Sequence, residues 1–231
     1  MKTLLSKIQI KINERVYLKD PESSPLGRKI VRQSTLLIDE IGLENFTFKK
    51  LAKEIGSTEA SVYRYFENKH KLLIYLVSWY WNWMEYQLVF QTSNLECAEK
   101  VLETALATLA KPLEIDNQYD SIDAKALHRI VVSESAKAYL TKEVDSDNKE
   151  GYFASYKRLT HRVADMILKL KPNYKYPNAL VSIIMESSHQ QSYFAKHFPS
   201  LTEVRGDDNE KTLIEFLTDL VFNALKVERS K

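Results

Sequence analysis

An all-α protein is predicted by three observations. Apolar residues recur at spacings of three and four along most of the chain. Only 5 glycines and 6 prolines punctuate its 231 residues. Those breaks fall beside residues that start or stop helices, as in Ser24-Pro25, Lys111-Pro112, Lys171-Pro172 and Phe198-Pro199.

The exception is the start. Ile8, Ile10 and Ile12 alternate with Gln9 and Lys11, and after Asn13-Glu14 a second alternation runs through Val16 and Leu18. Two readings fit this pattern: a short N-terminal β-hairpin, or an amphipathic helix frayed at its ends.

From Ser24 the helices follow in order. Ser24 is a cap and Pro25 suits the first helical position. Ile30, Ser34, Leu37, Ile38 and Ile41 share one face, and Gly42 supplies a stop. Thr47 caps a second helix with Phe48, Leu51, Ala52 and Ile55 inward, ended by Gly56. Ser57 or Thr58 caps a third that runs to Phe66, about nine residues and too short to hold without support. Asn68 caps a long fourth helix from Lys69 to about Phe90. Further helices are predicted at about 94–110, 121–141, 147–171, 178–198 and 208–227.

Composition narrows the class. At 44% hydrophobic and 28% charged residues this reads as an ordinary soluble chain of one or two domains. No apolar run approaches the roughly 18 residues of a membrane span. The basic N-terminus lacks the apolar stretch of a secretory signal. A lone Cys97 excludes an internal disulfide and a cysteine-based zinc site, so a reducing cytoplasm is expected. Charge is uneven. Residues 1–73 hold 14 Lys and Arg against 9 Asp and Glu, a net +5 that leaves −3 on the remainder. A basic head on an acidic body suits a partner bearing phosphate.

Thr47 to Phe66 carries the functional signal. Two short helices flank Gly56, which tolerates the positive φ of a sharp turn, and small Ala52 lets them cross closely. This is a helix-turn-helix pattern; an ordinary helical hairpin in a bundle would share the spacing. The outward residues of the second helix are Thr58, Glu59, Ala60, Ser61, Tyr63, Arg64 and Tyr65. Hydroxyls and a guanidinium donate to phosphate oxygens or base edges, and small residues let a helix approach a groove floor. Lys69 stands in the first turn of the next helix, where a bound phosphate would offset its charge against the helix dipole.

The run FTFKKLAKEIGSTEASVYRYFENKHKLL resembles the DNA-binding segment of the TetR family of bacterial transcriptional regulators. The match rests on Thr47, Leu51-Ala52, Gly56, Ser61-Val62-Tyr63, Tyr65-Phe66, Lys69 and Leu72, and extends over about 25–73. The resemblance implies a three-helix DNA-binding head at 24–73, an extension at 1–23, and a helical ligand-binding and dimerisation body at 74–231. It implies phosphate contacts from Thr47, Ser61, Tyr63 and Lys69, with Glu59, Ala60, Arg64 and Tyr65 nearest the bases. Ser57 departs from the aliphatic residue common in the family, and Glu59 is acidic where phosphate lines the groove. The family also implies a homodimer on a palindromic operator, an unknown small-molecule inducer, and repression as the usual outcome. No cofactor is implied.

In the body, Trp79, Trp83, Tyr86 and Phe90 are candidates to line an inducer pocket; plain core packing is the other reading. Leu213, Ile214, Phe216, Leu217, Leu220, Val221 and Leu225 cover more than one face of the last helix, which suits either a dimer interface or a helix buried within the monomer. Enzyme signals are weak. Glu186 and His189 are spaced as in a di-iron bundle, but such a site needs a second pair. No phosphate loop or nucleophile elbow occurs. A regulator is therefore expected rather than an enzyme. The alternative from another class is a helical interaction scaffold whose head does not bind DNA.

Overall fold

The computed structural model describes residues 10–113 and 122–228. Among them lie eleven α-helices and no strand. The helices are α1 (Pro25–Asn45), α2 (Phe48–Glu54), α3 (Glu59–Tyr63), α4 (Lys69–Thr92), α5 (Ala98–Ala110), α6 (Ala124–Glu134), α7 (Ala136–Tyr139), α8 (Val144–Lys149), α9 (Ala154–Leu170), α10 (Pro177–His197) and α11 (Asn209–Leu225). The chain forms two compact units, Met1–Asn82 with Pro112–Ser155, and Trp83–Lys111 with Tyr156–Lys231.

The hairpin reading is overturned in the part described. Glu14–Val16 is a single 3-10 turn capped by the Asn13 side chain, which accepts from Arg15 N. The apolar positions serve burial instead of strand pairing: Ile12 and Val16 are both buried. Residues 1–9, which hold the start of the first predicted strand, lie outside the described residues.

In the first unit α1 is the axis. Ser24 caps it by accepting from Gly27 N, and Pro25 opens it. Its buried face carries Ile30, Val31, Ser34 and Ile38 and packs against α6 and the Pro21–Ser23 turn. The approach of that turn is close: a Cβ on Gly27 would lie 2.2 Å from Pro21 O. Gly42 (φ 74, ψ 157) breaks the helix three residues before its end, in a region open essentially to glycine alone. Two side chains secure that break. The Glu134 carboxylate of α6, 8% exposed, accepts from Leu43 N at 3.1 Å. The Lys69 ammonium donates to the carbonyls of Leu43, Glu44 and Phe46 at 2.9, 3.2 and 3.4 Å. Donors and acceptors stranded by the break thus find partners.

The predicted helix at 121–141 is two, α6 and α7, parted at Ser135. The one at 147–171 is also two, α8 and α9, on either side of Gly151, whose φ is 80°. α4 is buried continuously from Leu72 to Trp81, so the dense aromatics there are core on all sides of the helix. Within the first unit the Tyr80 hydroxyl lies 3.2 Å from His128 Nδ1, within hydrogen-bonding distance. Burial raises the Tyr80 pKa, so the phenol keeps its proton. Burial, helped by nearby Arg129, lowers the His128 pKa to about 4 and keeps the imidazole neutral.

In the second unit α5, α10 and α11 pack on one another in all three pairings. Their core includes Leu102, Leu106, Leu109, Val181, Ile184, Leu217 and Val221. Glu85 receives Arg158 and Arg162 of α9, and Ser188 donates to Leu109 O.

Gly42→Ala is expected to destabilise the protein by about 1–3 kcal/mol through backbone strain alone, because the new methyl has room. Gly27→Ala is expected to cost more, because the clash is with backbone. A lowered urea midpoint at unchanged slope checks both. His128 also makes stability pH-dependent. Its folded pKa of about 4 lies below the ordinary 6.5, so the unfolded chain takes up the proton first. The contribution is complete above pH 6.5 and is lost as pH falls toward 4. Relative to His128→Gln, the native protein should lose about 2 kcal/mol between pH 7.5 and 4, a figure reduced for the half-buried ring.

A candidate nucleic-acid interface

The helix-turn-helix is built as its residues require. Thr47 caps α2 by accepting from Lys50 N, and Thr58 caps α3 by accepting from Ser61 N. Gly56 turns with φ 64, and Ser57 N donates to Ala52 O at 2.8 Å. The polar Ser57 is therefore accommodated through its backbone. α2 lies directly against α3, with Leu51, Ala52, Ile55 and Val62 buried. The Phe48 ring meets Tyr63 edge-on at 4.9 Å.

α3 spans five residues instead of the nine expected. Its exit is tightened early, because Tyr65 N and Phe66 N both return to Val62 O. The outward face carries exposed Ala60, Tyr63 and Arg64, half-buried Ser61 and, at its start, half-buried Glu59. Tyr63 is 48% exposed despite its contact with Phe48. Ser61 Oγ lies 2.9 Å from Thr58 Oγ1, so the two hydroxyls share a bond that can open toward a ligand. Glu59 occupies the first turn, where an acidic side chain favours the helix dipole. Thr47 is exposed at the head of α2.

One expected contact is not on this surface, and a second is exposed but engaged by backbone carbonyls. Tyr65 is 4% exposed. Its hydroxyl lies 2.8 Å from Ser24 Oγ, its carbonyl accepts from Leu18 N, and Lys19 Nζ sits 5.2 Å from its ring centroid. It joins the head to the N-terminal segment instead of facing outward. Lys69 turns its ammonium to the three carbonyls at the end of α1, which offset the charge that a phosphate was expected to meet.

Two cations were missed. Lys49 and Lys53 of α2 are exposed beside α3. Their signal was the pattern FKKLAKE, in which the lysines fall on the face opposite Leu51 and Ala52. Lys50 is less free, since its ammonium donates to Asn45 O.

The aromatic candidates of the body separate. Trp79 belongs to the first unit and is 2% exposed. In the second unit, Trp83 meets Tyr86 at 5.5 Å between centroids and Tyr86 stacks on Phe90 at 6.3 Å. This ladder runs from buried Trp83 to Phe90, which is 57% exposed. His70, Glu143 and Asp147 are close enough to share a cation. Asp147 is already compensated, because Lys71 Nζ lies 3.1 Å from Oδ1 and His70 Nε2 lies 3.0 Å from Oδ2. Burial works against the Lys71 ammonium, but its bonds to Tyr152 and Asp147 outweigh this and raise its pKa. The cluster is a structural ion pair.

Comparison with known proteins agrees with this geometry. Residues 30–76 match the bacterial regulatory proteins of the tetR family. A stretch of 72 residues is 35% identical to the nucleoid occlusion factor SlmA of Mannheimia succiniciproducens, spanning 29% of this chain and 33% of that protein. The chain thus matches only about a third of the length of this relative. The fold extends further than the sequence likeness. The fatty acid degradation regulator FadR of Bacillus halodurans superposes with a TM-score of 0.62 at 16% identity, over 89% of this chain and 98% of that one. AibR, solved with isovaleryl coenzyme A and operator DNA, gives 0.57 at 14% identity over 84% and 98%. The ketosteroid regulator KstR2 of Mycobacterium tuberculosis gives 0.55 at 11% identity over 97% and 100%. Residues 30–76 thus match the head of the tetR family of bacterial regulatory proteins, within an all-helical fold similar to those of the superposed structures.

Proposed function

We propose that the protein is a sequence-specific DNA-binding transcriptional regulator, a repressor that acts as a cytoplasmic homodimer and answers to a small molecule bound in residues 74–231. One observation carries this reading. α3 is a supported five-residue helix whose open face offers Ala60, Ser61, Tyr63 and Arg64, flanked by Thr47, Lys49 and Lys53. In this reading Thr47, Ser61 and Tyr63 hold phosphates, Ala60 and Arg64 lie over base edges, and Glu59 accepts from a cytosine amino group. Lys49 and Lys53 add charge along the backbone of the duplex. Buried Tyr65 supports the head from within, and exposed Lys69 braces the end of α1.

The body reading has its own support. Ile183 of α10 and Phe216 of α11 are 55% and 44% exposed, although both helices bury another face. A second copy packed there would cover them and set two heads to read half-sites about 34 Å apart or slightly more. The Trp83–Tyr86–Phe90 ladder is the candidate lining for an apolar inducer. The alternative of an enzyme finds little footing: Glu186 accepts from Tyr156, and His189 is buried. Among the described residues no helix is long and apolar enough to cross a membrane.

Duplex affinity should fall log-linearly with salt, and Lys49→Ala or Lys53→Ala should each reduce that slope by about 1. Ser61→Ala and Tyr63→Phe should weaken all duplexes about equally. Arg64→Ala should change the ranking of duplexes, with about 1–3 kcal/mol lost at one base pair. Lys69→Ala should lower the unfolding midpoint together with DNA affinity. Titration of labelled duplexes at several salt concentrations checks all of these. A flat salt response with an unchanged ranking in Arg64→Ala would contradict the proposal.

A further inference from the structure

The N-terminal segment does more than fill space. It touches two places that the rest of the first unit keeps apart in sequence. At one end it meets the exit of α3: Leu18 N donates to Tyr65 O at 2.8 Å, and Lys19 lies over the Tyr65 ring. At the other it meets the turn between α8 and α9. Asn13 Nδ2 donates to Glu150 O at 2.8 Å, Arg15 pairs with the Glu150 carboxylate, and Tyr152 donates to Arg15 O at 3.3 Å. Along the segment Ile12 and Val16 are buried, and Tyr17 meets Tyr75 of α4 edge-on at 6.2 Å. The segment is therefore seated along its length, with a defined bond at each end.

The turn at 150–152 is also tied to the other flank of α3. Asp147, one turn earlier on α8, holds His70 and Lys71 in the first turn of α4. The Lys71 ammonium lies 4.0 Å from the centroid of Tyr152. Thus Asp147 to Tyr152 grips the strand of chain that leaves α3 on one side and, through residues 13–19, the exit of α3 itself on the other. The ion pair of Arg15 with Glu150 is mostly exposed, 67% and 42%, so it fixes position more than it adds stability.

We infer that Ile12–Lys19 is a positioning strap for the DNA-reading helix, which couples the exit of α3 at Tyr65 to the Glu150–Tyr152 turn. Its structural half stands on the bonds above; its consequence for DNA rests on the proposed function. A displacement of the α8–α9 turn then moves the exit of α3 through the strap, without any contact between the turn and DNA. Only a change that favours one position of the turn over another shifts α3 in this way.

Leu18 offers a clean test. Its side chain is 66% exposed, so the strap uses its N–H alone. Tyr17 before it is extended (φ −133, ψ 156), as a residue preceding proline prefers. Leu18→Pro removes the donor, whereas Leu18→Ala keeps it. Amide exchange in the full chain should rise about 3- to 10-fold at Val62–Phe66 in Leu18→Pro relative to Leu18→Ala, and stay unchanged in α11. Arg15→Ala/Tyr152→Phe, which loosens the far end by removing two of its three bonds, should raise exchange at the same amides. Should Leu18→Pro fail to fold, this double variant carries the test. Equal exchange at Val62–Phe66 in Leu18→Pro and Leu18→Ala, or native exchange there in the double variant, would overturn the inference. Affinity for a mixed-sequence duplex is measured in parallel. A fall in affinity of about 3- to 10-fold in Leu18→Pro supports the DNA consequence. A native protein that binds no duplex would sink the proposed function while the exchange result still decides the strap.

Discussion

Everything the head does depends on the broken end of α1. At Gly42 the helix stops being a helix, and the chain must turn sharply enough to lay α2 and α3 across it. A break of this kind strands backbone groups in a crowded place. Glu134 accepts the Leu43 amide, and Lys69 donates to three carbonyls around it. One carboxylate and one ammonium, both from further along the chain, thus fix the corner, 91 and 26 residues beyond Leu43. α3 is five residues long and has no independent stability. Its orientation is inherited from that corner, from the caps at Thr47 and Thr58, and from buried Val62.

Local chemistry was legible in the sequence because it acts over short range. Ser24, Thr47, Thr58 and Asn68 each bond the amide three residues on, so a cap can be read beside its helix. The periodicity that marked Ile30, Ser34 and Ile38 identifies residues that are buried together. The proline stops survive for the same reason. The resemblance over 25–73 supplied the role of the head, and its open face holds Ala60, Ser61, Tyr63 and Arg64.

What escaped the sequence is long range. Tyr65 is as polar and aromatic as Tyr63, and only the fold assigns one to Ser24 and leaves the other open. Lys69 reads in sequence only as a phosphate ligand, and the fold adds the carbonyls beyond Gly42 as its partners. The alternation of Ile8 to Leu18 mimics strand periodicity. Over its described part the burial of Ile12 and Val16 follows a different geometry, set by Tyr75 and the 150–152 turn. The breaks at Ser135 and Gly151 are likewise matters of packing, since the flanking residues carry helical patterns on both sides. Glu134 and Asp147 look like surface carboxylates in sequence; both are buried, each with cationic partners.

The corner and the caps present a small polar helix to the outside, and the account stands on that helix reading a duplex. Selection of bound duplexes from a random pool by the purified protein, at two salt concentrations, tests this most directly. The account predicts enrichment of a palindrome with half-sites about one helical turn apart or slightly more, held more tightly at the lower salt. A pool that stays random at low salt would contradict it.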